Sequence, residues 1–250
     1  VAVKPLITLA VPSYNQGCYL DQALASIFNQ QLPVEVFVVD GGSSDNSLTV
    51  IHKWEHRLAG WRSYPDQGQA AAINEGISQG GAPFVCWLNS DDWLLPHGLI
   101  HLWEALQQFS GVPAAYGRPW NFIEKTRTLR AVWVEPFSER RLALRCIISQ
   151  PATLISRSAW EAIGGVNENL QLAMDYDLWW RLFKNFGQLH FVDRFIAVNR
   201  DHIATKTKTQ RHLHYQEAIE TVRQHYGRVP LKWWLFQPYA VWFKALHRYF

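Results

Sequence analysis

No stretch of this chain stays apolar for the roughly 18 residues that a membrane-spanning helix needs, so no such helix is expected. Cysteine is scarce. Cys18, Cys86 and Cys146 are odd in number and far apart, without metal-ligand spacing. They exclude a disulfide framework and indicate a reducing, cytosolic setting, with Cys86 a small core residue. No signal-type leader is read, and the chain opens on Val1 rather than Met, where a trimmed end is expected. Neither G-x-G-x-x-G nor G-x-x-x-x-G-K-[ST] occurs, so the common dinucleotide and P-loop modes of phosphate binding are unsupported. Internal repeats and low-complexity linkers are absent. Net charge is only +3, and no nucleic-acid reader motif appears, so nucleic acid is not an expected partner.

What is present suits a folded α/β protein. The 250 residues are 48% apolar and 18% charged, enough for one large domain with a sizeable core, or one domain and a small appendage. Charge is unevenly spread. Residues 200–250 hold nine Lys/Arg against three Asp/Glu, a net of +6, which leaves −3 on the first 199 residues. Five of the ten histidines also fall in that basic end, and an anionic surface is its expected partner.

The first half alternates two periodicities. "LITLAVPSY", "VEVFVVDGG", "WRSYPD" and "APFVCWLN" read as strands; "YLDQALASIFNQ", "NSLTVIHKWEH", "GQAAAINEGISQG" and "PHGLIHLWEALQQF" read as helices, the last opened by Pro96. Such alternation predicts βαβ units and a mostly parallel central sheet flanked by helices. Further on, "AAYGRPWNFI" and "TLRAVWVEP" predict an antiparallel addition, "MDYDLWWRLFKNFG" a helix ended by Gly187, and "QLHFVDRFIAVNR" a strand. Two amphipathic helices, roughly 209–226 and 230–249, complete the chain.

Polar residues collect where the four strands end: Pro12-Ser13-Tyr14-Asn15, Asp40 to Asp45, Asp66-Gln67-Gly68-Gln69, and Asn89-Ser90-Asp91-Asp92. Ligands of open parallel sheets bind beyond these carboxyl ends. Gly41-Gly42 allows close backbone approach or a positive φ. Few cations lie at these edges, so a bound phosphate needs another source of positive charge. A divalent metal on Asp91 and Asp92 supplies one. The competing reading makes the two carboxylates a cap for the helix at Pro96.

The ordered segments "ITLAVPSYNQGCYLDQALASIFNQ", "VEVFVVDGGSSDNS", "DQGQAAAINEGI", "WLNSDDWLLP" and "MDYDLWWRL" resemble family 2 glycosyltransferases of the GT-A fold over about residues 5–202. The resemblance implies a GT-A-like transferase domain over residues 1–205 and a helical appendage over 206–250. It implies transfer, usually with inversion, of a hexose from a nucleotide-diphosphate donor to a glycan or lipid-linked acceptor with Mg²⁺ or Mn²⁺. By position it puts Pro12, Tyr14, Asn15, Asp40, Gly41 and Asp66 around the nucleotide. Gly68, Gln69, Asn74, Asn89 and Ser90 complete the donor set. Asp91, Asp92 and His202 are the implied metal ligands; Asn89 stands where the family usually has an aspartate. Asp175 is the implied general base, against the competing reading of an N-cap; Asp177, some 200° around the helix, faces solvent or an arginine. A helix N-terminus is expected to keep that base ionised and weak.

Other expectations follow. Lys206 and Lys208 pair with diphosphate oxygens or are solvated, and Gln150-Pro151 borders the acceptor. One of Trp179 and Trp180 stacks on a sugar. The final "LKWWLFQPYAVWFKALHRYF" lies in a membrane interface, at the cytoplasmic face, or docks on the domain or a second subunit. A non-catalytic nucleotide-sugar or glycan binder is the rival from another class, and a nucleotidyltransferase a weaker one.

Overall fold

β-Branched and other apolar residues fill the first strand, β1 (Ile7–Ser13), and every one of its seven residues is buried. Both faces are covered by helices, which is why the strand reads as a continuous apolar run. The computed structural model describes residues 3–109 and 111–243. After β1 come α1 (Gly17–Phe28), β2 (Val34–Asp40), α2 (Ser47–Trp54), β3 (Gly60–Ser63), α3 (Gln69–Ser78) and β4 (Phe84–Trp87). The strands lie in the order β3-β2-β1-β4 and are parallel throughout, with Ile7 opposite both Val34 and Phe84. The expected βαβ units are present. Side chains alternate across the sheet: Leu9 and Val11 pack with Leu20 and Leu99 on one face, Ala10 with Ile73 and Trp87 on the other.

The helix expected at Pro96 begins later. Trp93–Leu94 form a short strand, β5, and α4 is Gly98–Gln108, entered through His97 at φ 63°. The cause is a neighbouring edge. Trp93 pairs with Val198, and the Leu95 amide donates to Ile196 O at 2.8 Å, so the chain stays extended past Asp92. With β5 between them, Asp91 and Asp92 cap no helix.

The second half adds β6 (Ala114–Ile123), β7 (Thr128–Ala131), α5 (Glu139–Leu144), β8 (Thr153–Ser156), α6 (Arg157–Ala162), α7 (Met174–Phe186) and β9 (His190–Asp201). The expected hairpin is β6–β7, shorter on its second strand than the sequence suggests. β8 lies antiparallel between β4 and β6, and β9 runs parallel to β6. One nine-stranded mixed sheet results. Helices α8 (Lys206–Thr209), α9 (Arg211–Tyr226) and α10 (Leu231–Gln237) follow. Instead of one helix to residue 249, α10 gives way at Pro238 to a wide π-helical turn ending at Phe243; proline's missing N–H breaks the ladder there. Lys244 and Arg248 lie outside the described residues.

Candidate active site

Parallel strands point the same way, so the loops after them gather at one edge. There they wall a cavity of about 610 Å³. Pro12 and Tyr14 come from the end of β1, Gly41 from β2, Asp66, Gly68 and Gln69 from beyond β3, Asn89 and Asp91 from beyond β4. The second half contributes Gln150, Leu172, Met174, Asp175 and Lys206. Two buried polar atoms on this wall, Ser13 Oγ and Trp87 Nε1, have no protein partner among the described residues.

Asp40 organises the loops after β2 and β3 from behind the wall. It is fully buried, and its carboxylate accepts from the Gly42 and Ser43 amides at 3.1 and 2.8 Å and from the Ser63 hydroxyl at 2.7 Å. This turn needs Gly42 at φ 82°. Asn15, at φ 52°, accepts from the Ser44 amide at 2.8 Å and so ties the first loop to the second. Asp66 accepts from the Gly68 amide at 2.8 Å and sits 3.2 Å from the Arg62 guanidinium. A Cβ on Gly41 would lie 3.3 Å from the Tyr14 ring and 3.5 Å from an Asp66 oxygen, so glycine lets these two wall groups close in. Tyr14 itself stays largely exposed at the mouth.

The paired carboxylates point apart. Asp92 turns into the protein, where it accepts from the Arg200 amide at 2.8 Å and from the Asn89 side chain at 3.3 Å. Burial, aided by the charge of Asp91, pushes the Asp92 carboxyl well above the ordinary range. Asp91 faces the cavity; its Oδ2 takes the Gln16 amide at 3.2 Å and lies 2.9 Å from His202 Nε2. Ser90 donates to Gln16 on the same side. Asn89 Oδ1 accepts from Gln69 at 2.7 Å, and its amide reaches Gln150 Oε1 at 3.3 Å. Arg200 closes the back of the loop. It donates to Asp91 O at 2.9 Å and sits over the Tyr19 and Trp93 rings, 4.6 and 4.8 Å from their centroids.

A carboxylate oxygen and an imidazole nitrogen are donor types that a divalent cation such as Mn²⁺ accepts, and here they are hydrogen-bonded to each other. Neighbouring ligands of a six-coordinate ion at about 2.1 Å stand about 3 Å apart, the spacing of the Asp91 oxygen and the His202 nitrogen. Among the described residues no group of three or more His, Cys, Asp or Glu side chains is arranged to hold a metal. Such an ion therefore needs oxygens from its ligand, the usual condition for Mg²⁺ at phosphate sites.

Asp175 stands in the first turn of α7 and lines the other part of the wall. It is not the cap: Ala173 holds that position, and Asp175 accepts from the Tyr176 amide at 2.7 Å and from its own amide. Burial pushes its carboxyl up to about 6 against the hydrogen bonds that lower it. The helix N-terminus thus does not keep this group weakly basic, because desolvation outweighs it. Asp177 faces an arginine as expected, but not solvent. It pairs with Arg181 at 2.6 Å and His225 at 2.8 Å. Burial pushes its carboxyl up, yet the His225 and Arg181 contacts hold it below the ordinary value.

Several expected site residues lie off the wall. Asp40, Ser90 and Asp92 stand behind it as supports of the groups just described; Asn15 is exposed beside it, and His202 meets it only through Asp91. Asn74 is spent elsewhere, clamping Val166 O at 2.9 Å and Glu168 at 2.8 Å. Trp179 and Trp180 are both fully buried in the core, so neither meets a sugar; Trp87, stacked on Trp179, is the indole on the wall. Lys206 lines the cavity and donates to Gln69 at 3.3 Å, whereas Lys208 pairs with Asp201. Gln16, Arg200 and Leu172 were not singled out from the sequence. Gln16 directly follows the first polar strand end and was findable; the other two carry no local signal.

The sequence pattern of "Glycosyl transferase family 2" matches residues 8–162, more than half of the chain. A glycosyltransferase of Rickettsia prowazekii is 25% identical over 215 residues, covering 82% of this chain and 67% of that protein. Across the rickettsial relatives the chain spans from 67% down to 34% of their length. Among solved structures, Staphylococcus aureus TarS with UDP-GlcNAc superposes at TM-score 0.70, with 17% identity over 89% of this chain and 66% of that one. The mannosyltransferase PcManGT of Pyrobaculum calidifontis, solved with GDP-Man and Mn²⁺, gives 0.70 with 18% identity over 94% and 68%. The fold is that of both, a GT-A-like α/β structure, and the chain belongs to glycosyl transferase family 2.

Proposed function

We propose that this glycosyltransferase moves a sugar from a nucleoside-diphosphate donor to an acceptor hydroxyl by a single displacement that inverts the anomeric carbon. The carrying observation is that Asp91 and Asp175, from separate halves of the chain, line one cavity. Tyr14 and Asp66 flank the nucleotide, Gln69 and Asn89 hold ribose or sugar hydroxyls, and Lys206 meets the diphosphate. Asp91 and His202 would hold a divalent cation, Mg²⁺ or Mn²⁺, which would supply positive charge against the negative charge of the departing diphosphate. Asp175 accepts the acceptor's proton as the new C–O bond forms and the bond to diphosphate breaks. The donors named with TarS and PcManGT, UDP-GlcNAc and GDP-Man, support a hexosyl donor.

A thermal-shift screen against nucleoside diphosphates, with and without Mn²⁺, tests the donor side; release of nucleoside diphosphate from UDP-GlcNAc or GDP-mannose tests turnover. The second reading, a binding module without catalysis, is favoured by one observation. Asn89 brings no charge where a carboxylate is usual, and its amide is already bonded within the protein. Binding without any nucleotide release would establish that reading.

We also infer an acceptor presented at an anionic membrane surface, on its cytoplasmic face. Among the described residues no helix is long and apolar enough to cross a membrane. Helix α10, however, is fixed by the Trp233 indole donating to Ala143 O at 2.8 Å, while Leu231, Trp234, Leu235 and Phe236 are exposed. Lys232 lies beside them, and the net +6 of residues 200–250 complements anionic headgroups.

A further inference from the structure

Helix α7 begins without a cap of its own: Ala173 offers no side-chain acceptor to the amides around it. The turn just before it, residues 171–173, forms cavity wall through Gln171 and Leu172, directly ahead of Met174 and Asp175. Its amides are held from elsewhere. Glu217, on α9, accepts the Gln171 amide on one oxygen at 3.0 Å and the Leu172 and Ala173 amides on the other at 2.8 and 2.9 Å. Both oxygens of one carboxylate are committed to three consecutive N–H groups, bonds strengthened by the charge. The helix that carries Glu217 is also fastened to α7 by His225 on Asp177.

We propose that Glu217 is a positioning residue for the transfer reaction: by gripping the 171–173 turn it sets where the Asp175 carboxylate enters the cavity. The assignment rests on Asp175 being the base. Glu217 is hydrogen-bonded to none of the groups placed on the nucleotide, diphosphate or cation, so its influence runs through the 171–173 turn and α7. Donor binding, which rests on the loops after β1 to β4 with His202 and Lys206, should not depend on it.

The test is a double-mutant cycle of Glu217→Ala and Asp175→Asn, with Glu217→Gln as the variant that keeps one acceptor oxygen. Turnover is read as nucleoside diphosphate released from UDP-GlcNAc or GDP-mannose, and binding by calorimetry with UDP or GDP. Glu217→Ala is expected to lower kcat about 10- to 100-fold, the cost of a misaimed group. Glu217→Gln should fall between Ala and the natural residue, and nucleoside-diphosphate affinity should stay within about twofold. In the Asp175→Asn background Glu217→Ala should cost almost nothing more. An equal loss in both backgrounds, or lost nucleoside-diphosphate binding, makes Glu217 a structural cap and overturns the proposal. A silent Glu217→Ala beside an inactive Asp175→Asn removes Glu217 only, whereas a fully active Asp175→Asn removes the base and Glu217's role together. Should the Ala variant not fold, Glu217→Gln carries the same cycle.

Discussion

The Asp91 carboxylate and the His202 imidazole, 111 residues apart in the chain, stand 2.9 Å from each other. The first comes from the turn after β4 and the second from just past β9, so the pair exists only once both halves of the sheet have joined. His202 is held there by its own amide, which donates to Thr205 Oγ1 at 3.0 Å, and by the Tyr19 ring at 5.1 Å.

Asp91→Ala is expected to abolish Mn²⁺ binding in the presence of nucleoside diphosphate, read by electron paramagnetic resonance. His202→Ala should weaken it about tenfold or more, since even groups behind a metal's ligands are worth that much. Nucleotide affinity and turnover indifferent to chelators would remove the cation from the site.

With Asp175 as the proposed base, the rate should depend on pH. A base must be ionised, so kcat/KM should fall about tenfold per pH unit below about 6, where burial has pushed this carboxyl. Asp175→Asn should abolish that limb and cost about 10²–10⁴-fold in turnover. The stability sign is opposite. A carboxyl whose folded value is raised contributes most below about 4 and loses that contribution as pH rises through about 6. Asp175→Asn should therefore stabilise the fold at pH 8 by about 1–2 kcal/mol after allowing for cavity water, read as a raised Tm, and leave Tm unchanged at pH 4. A pH–rate profile flat from 5 to 8 would count against Asp175 as the base.

The exposed face of α10 predicts lipid binding. The protein should sediment with vesicles rich in phosphatidylglycerol and not with neutral phosphatidylcholine vesicles. Trp234→Ser with Phe236→Ser should lower the partition about tenfold or more without changing turnover of a water-soluble acceptor. Equal binding to both vesicle types, or none, would refute a charge-assisted membrane contact.

Much of this was legible in the residues, and the failures have physical causes. The four strand–helix units show because each strand is a β-branched run and each helix keeps its apolar spacing. Strand β8, "TLIS", is too short to announce itself and is made a strand by lying between β4 and β6. Pro96 suggested a helix start, but the β9 edge bonded Leu95 first. Asp91 emerges where polar residues end an apolar run, whereas Asp175 emerges only through the family resemblance. Asp40 obeys the same pattern yet faces inward, because the Gly41-Gly42 turn folds its own amides onto it. Adjacent carboxylates cannot be told apart by spacing; which of Asp91 and Asp92 meets the cavity was decided by the Arg200 amide, over a hundred residues away.

The grip of Glu217 on the turn before Asp175 has a consequence for the order of biosynthesis. A nascent chain leaves the ribosome from its N-terminus and domains consolidate as they emerge. The loops after β1 to β4 are therefore made long before α9, and the turn ahead of Asp175 stays ungripped until Glu217 has emerged.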